Sequence, residues 1–140
     1  MASSEIAKSG IRLCAGTILA FTVCFAFFEL FDFLDWHFYI PLGDQLLSLP
    51  DLFILAFACF SGAYIAKRYF LAAFLPIYTI LYLASVHILQ RVTENVPDAP
   101  TFIDVLLGTT YGGLIYLSAI VVFAILGERF GSRISRSTDT

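Results

Sequence analysis

After Arg12 the chain runs LCAGTILAFTVCFAFFELFDFLD to Asp35, and no charge interrupts it before Glu29. About 20 apolar residues carry a helix through the hydrocarbon core of a bilayer. A helix entering at Arg12 therefore meets Glu29 near the far interface, with Asp32 and Asp35 following inside two turns. A carboxylate at that depth requires a partner or water, so Glu29 and Asp32 are the first candidate functional residues.

The rest of the chain repeats the same constraint. Of its 140 residues 59% are hydrophobic and only 14% charged, which leaves too little polar surface to cover a soluble domain of this size. The expected fold is an all-α integral membrane protein, a single four-transmembrane-helix bundle over residues 1–140. Its helices are placed at about 10–34, 51–67, 69–90 and 101–127, with a polar tail at 128–140. The opening MASSEIAKSGIR leads into an apolar run longer than a signal-peptide core and followed by no A-x-A-like site, so the first helix is expected to be retained.

Between helices 1 and 2, Trp36, His37, Phe38 and Tyr39 are followed by Pro41, Gly43, Asp44 and Pro50, a composition that suits an aromatic interfacial loop. A short helical turn is expected at 44–49, and Asp51 is expected to cap helix 2. Lys67 and Arg68 leave room only for a tight antiparallel hairpin between helices 2 and 3. Pro76 is expected to kink helix 3. Two prolines in RVTENVPDAP, 91–100, break the pattern before helix 4.

Small residues at helical spacing mark the expected packing faces. Ala15, Thr22 and Ala26 line up with Glu29 on helix 1, and Ala58, Gly62 and Ala66 recur every fourth residue on helix 2. Gly108 and Gly112 form a GxxxG pair on helix 4, which reads as the strongest packing signature in the chain.

Lysine and arginine set the expected orientation. Lys8, Arg12, Lys67, Arg68, Arg129, Arg133 and Arg136 fall at one end of the four spans, and only Arg91 falls at the other, which places both termini in the cytoplasm, N-in and C-in. The opposite end collects Glu29, Asp32, Asp35, Asp44, Asp51, Glu94, Asp98 and Asp104.

Few residues suggest chemistry. Cys14, Cys24 and Cys59 lie in apolar runs with no CxxC spacing, and His37, His87, Asp35 and Asp104 follow no metal-ligand spacing. No Ser-His or Cys-His arrangement and no phosphate-binding glycine loop is legible, so neither an enzyme nor a cofactor is expected. The basic residues sit beside the membrane, where they meet lipid rather than nucleic acid. The sequence carries no motif that assigns it to a family.

One constellation stands out at the acidic end. Glu29 and His87 fall at similar depth on helices 1 and 3, and with Asp32 and Asp104 they form a candidate proton, cation or ion-pair site. The simpler alternative is that the acids reach interfacial water. The leading functional expectation is a small accessory or structural component of a membrane assembly, in a bacterial-type inner membrane. Its partners would be the bilayer and either further copies of itself or another membrane protein. The alternative is an oligomeric transporter or channel subunit that gathers cations or protons at an acidic outer mouth.

Overall fold

The computed structural model describes residues 2–36, 38–42, 45–93 and 101–137. His37, Asp44, Glu94 and Asp98 lie outside the described residues. In chain order the elements are α1 (Ala2–Phe33), β1 (Tyr39–Leu42), β2 (Gln45–Ser48), α2 (Leu49–Ala66), α3 (Phe70–Thr93) and α4 (Phe102–Ser137). The four helices are each long and apolar enough to cross a membrane. At 1.5 Å per residue α1 and α4 reach about 48 and 54 Å, well beyond a hydrocarbon core of about 30 Å, whereas α2 at about 27 Å only just spans it.

The link between α1 and α2 departs from the expected loop with a helical turn. Gln45–Ser48 is extended and pairs antiparallel with β1, Tyr39 opposite Ser48 and Leu42 opposite Gln45. The strands are joined by Gly-Asp, a two-residue hairpin signature. The cap of α2 is likewise Ser48, not Asp51: Ser48 is extended, and its hydroxyl accepts the Asp51 N–H at 3.4 Å. A cap must precede the helix, and Asp51 already lies within the first turn, where its charge still complements the helix dipole.

At the other end of α2, Lys67 takes a left-handed conformation (φ 63°) and donates its N–H to the Ala63 carbonyl at 2.8 Å, closing the helix. Tyr69 is left-handed too, at φ 62°. The first amide of α3, at Phe70, is satisfied from a distance: its N–H donates to the Glu128 carboxylate of α4 at 2.8 Å. α3 then runs through Pro76 as one helix.

α2 is the centre of the fold, packed on one flank by α1 and on the other by α4; it meets α3 chiefly around the turn that joins them. The expected side-by-side pairing of α2 with α3 is therefore replaced by α1–α2–α4. The cause is where the small residues lie. Gly16 of α1 and Gly62 of α2 touch backbone to backbone: a Cβ on Gly62 would sit 2.6 Å from the Gly16 carbonyl oxygen and 2.8 Å from the Ala20 Cβ. A Cβ on Gly16 would run into the Gly62 carbonyl. Ala58, Gly62 and Ala66 are all buried in this seam. On the α4 side, Gly127 and Gly131 lie against the carbonyls of Phe60 and Tyr64.

Two packing expectations are corrected here. The buried stripe of α1 is Gly16, Ala20 and Cys24, whereas Ala15, Thr22, Ala26 and Glu29 are exposed. Both stripes carry small residues, but only the first contains a glycine to admit a neighbouring backbone. On α4, a Cβ at Gly108 would meet nothing within 4 Å, so this end of the Gly108–Gly112 pair makes no close helix contact. The close contact is instead made by Gly127–Gly131, a second GxxxG that falls partly in the segment read as a polar tail. That segment continues α4 as helix to Ser137, and within it Gly131 packs against α2 and Glu128 caps α3.

Ala20, Cys59, Ala63, Ala66, Phe70, Phe74, Ile120 and Ala124 form the larger buried cluster, extended by the stacked pairs Phe21–Phe74 and Phe70–Phe74, and Cys24, Ile54 and Ala58 form a smaller one between α1 and α2. Overpacking such a contact costs about 1–3 kcal/mol or more. Gly62→Leu should lower the thermal stability of the detergent-solubilised protein sharply, while Gly108→Leu should leave it nearly unchanged. Equal melting curves for the two variants would refute the placement of the seam.

Candidate functional site

Where the glycine seam ends, the helices part. A cavity of about 740 Å³ opens among Phe21, Cys24, Phe25 and Phe28 of α1, Asp51 and Leu55 of α2, Phe74, Tyr78, Leu81, Tyr82 and Ser85 of α3, and Gly108, Thr109, Gly112, Gly113 and Tyr116 of α4. That size falls within the range of sites for small organic ligands, roughly 300–1,000 Å³. Its α3 wall is a ladder at four-residue spacing, Phe74, Tyr78 and Tyr82, and the stacked Phe21–Phe74 pair, centroids 5.1 Å apart, forms part of its lining beside the buried core.

Polar groups in the wall are held by short-range partners. The Tyr82 hydroxyl meets Thr109 Oγ1 at 2.7 Å, and since Thr109 donates to the Val105 carbonyl at 2.9 Å, the tyrosine is the donor between them. This contact ties α3 to α4 across the cavity. The Tyr116 hydroxyl donates to the Ser48 carbonyl at 3.2 Å, which ties α4 to the hairpin. Ser85 donates to the Leu81 carbonyl of its own helix at 2.9 Å. Among the described residues Asp51 is the only acid in the cavity wall.

A second cavity of about 350 Å³ adjoins the first, sharing Phe28 and Asp51 with it. Glu29, Asp32, Trp36 and Tyr39 complete much of its wall, so three carboxylates and several aromatic rings surround one space. Phe31 and Trp36 support each other there, with centroids 5.1 Å apart. Among the described residues no three His, Cys, Asp or Glu side chains converge closely enough to share a metal ion.

The four residues expected to form one site separate into three places. Glu29 and Asp32 share the acidic cavity. His87 is exposed on α3 and lines neither cavity. Two residues beyond cavity-lining Ser85, it is rotated about 200° around the helix and so turned away. No hydrogen bond or ion pair among the described residues joins it to Glu29. Asp104 belongs to a capping box at the start of α4. Thr101 donates to its carboxylate from the hydroxyl at 2.6 Å and from the backbone N–H at 3.0 Å, while the Asp104 N–H returns to Thr101 Oγ1 at 3.3 Å. These bonds, the hydroxyl's first, hold the Asp104 carboxyl below the usual carboxylate range.

Asp51 is the site residue that sequence reasoning missed, because a first-turn acid reads as a capping residue. The signal for its release was Ser48, three positions earlier, which takes the capping duty. Comparison of the chain with protein-family models, with curated proteins and with solved structures found no match.

The separation of Glu29 from His87 predicts additivity. Glu29→Gln and His87→Gln should combine with a coupling below about 0.5 kcal/mol in a double-mutant cycle of unfolding. A larger coupling would mean that the two residues meet.

Proposed function

We propose that this chain is a small multi-pass protein of a bacterial-type inner membrane, a four-helix bundle with both termini in the cytoplasm. In this reading it acts as a non-catalytic accessory component by holding a lipid-soluble molecule between its helices. The observation that carries the reading is the 740 Å³ cavity, walled mainly by aromatic and aliphatic side chains with a few fixed hydroxyls. The seven basic residues at the other end of the spans support the orientation.

A transport role is the second reading, favoured by the cavity that Glu29, Asp32 and Asp51 line. It requires a path onward, and within one chain the Gly16–Gly62 seam and the Phe70–Phe74 stack fill the space beyond the large cavity. Further copies would have to supply that path.

Two measurements test the proposal. In a background without native cysteines, an impermeant thiol reagent applied to intact cells should label Asp35→Cys but not Arg133→Cys; the reverse pattern inverts the orientation. Native mass spectrometry of the protein, released from mild detergent, should show one small-molecule adduct per chain. Gly108→Trp, which introduces a large side chain where a Cβ meets open space, should remove that adduct at unchanged melting temperature. If the variant keeps the adduct, or instead loses a co-purifying polypeptide, the cavity is not a small-molecule site.

A further inference from the structure

We propose that the two adjoining cavities form one site for a cationic amphiphile, a single-chain alkylammonium whose tail fills the apolar cavity and whose positive head rests among Asp51, Glu29 and Asp32. The inference rests on the binding role proposed above and adds the chemical class of the guest. Its first ground is continuity: Phe28 and Asp51 belong to both walls, so the apolar and acidic spaces meet at one carboxylate. Its second is charge. No Lys, Arg or His lines either space among the described residues, and no cation pairs with any of the three carboxylates there.

The same charges select against other guests. A phospholipid would bring its phosphate against three acids with no basic residue to receive it. A bare metal ion demands close convergence of ligands, and these carboxylates are dispersed around a space of about 350 Å³. A bulky ammonium needs no tight coordination. It gains from dispersed negative charge and from aromatic faces, and Trp36 beside the acids supplies the ring best suited to a cation. A molecule lying along the membrane normal, tail deep and head at the interface, matches the order in which the two spaces follow one another.

Trp36 is also the only tryptophan in the chain, so the site carries its own reporter. Protein in nanodiscs of neutral lipid is titrated with dodecyltrimethylammonium, dodecan-1-ol and dodecyl phosphate while Trp36 emission is followed. The ammonium should change the emission saturably and bind about tenfold tighter or more than the alcohol, with the phosphate weakest. Asp51→Asn should erase most of that preference without weakening the alcohol. The double variant Glu29→Gln/Asp32→Asn, confined to exposed positions, should reduce it independently of any effect on α2. Equal binding of ammonium and alcohol, unaffected by either variant, overturns the charge selection and leaves the apolar cavity reading intact. Tighter binding of the phosphate overturns the choice of guest. If none of the three binds and Gly108→Trp instead changes the number of copies in the particle, the cavity holds a helix of a second copy and both readings fall.

Discussion

The backbone contact between Gly16 and Gly62 governs where everything else can sit. In lipid there is no hydrophobic drive to bring helices together, since the tails are as apolar as leucine; association depends on how closely backbones approach and how many side chains then meet. With no side chain on either residue, α1 and α2 close to carbonyl contact. Gly127 and Gly131 do the same for α4 on the opposite flank. Helix α2, the shortest of the four, thereby becomes the central strut, with α1 and α4 on its flanks and few contacts left to α3.

That arrangement explains the cavity. α3 is fixed at its start, where Phe70 and Phe74 are buried and Glu128 receives the Phe70 amide, and it is tied again to α4 by the Tyr82–Thr109 hydrogen bond. Between and beyond these ties, Ile77, Ile80, Leu81 and Leu83 remain exposed. Because α1 and α4 hold the flanks of α2, α3 can close the space only with side chains. Gly108, Gly112 and Gly113 on the facing wall offer none, so the glycines that looked like a packing motif widen a cavity instead. A GxxxG pair permits close approach without compelling it, and the approach here is made by Gly127 and Gly131 against the α2 backbone at Phe60 and Tyr64.

Much of this architecture is legible in the sequence, because bilayer thickness translates directly into run length: four apolar segments give four helices. The Ala58–Gly62–Ala66 track was equally legible, since its period alone places it on one face. What could not be read was choice among equivalents. Ala15–Thr22–Ala26 and Gly16–Ala20–Cys24 lie on nearly opposite faces of α1, about 140° apart, and the close approach of the Gly62 backbone to Gly16 decides between them. The hairpin at 39–48 was hidden by aromatic composition, although Gly-Asp between two short apolar runs was its signature. Glu29 and His87 matched in depth along their helices, but depth says nothing of azimuth.

Asp51 shows how a local capping rule fixes which side chain is bound to the backbone and which is not. A Ser and an Asp three positions apart at a helix start compete for one task, and only the residue with extended backbone can perform it. Ser48 is extended because it ends β2, paired with Tyr39, and its carbonyl is engaged by Tyr116. The hairpin therefore fixes the cap, and the cap leaves the Asp51 carboxylate without a backbone duty. Held in the first turn, favoured there by the helix dipole, that carboxylate stands in the wall shared by an apolar and an acidic space. A two-stranded hairpin of eight paired residues thus positions the carboxylate at which the two spaces meet.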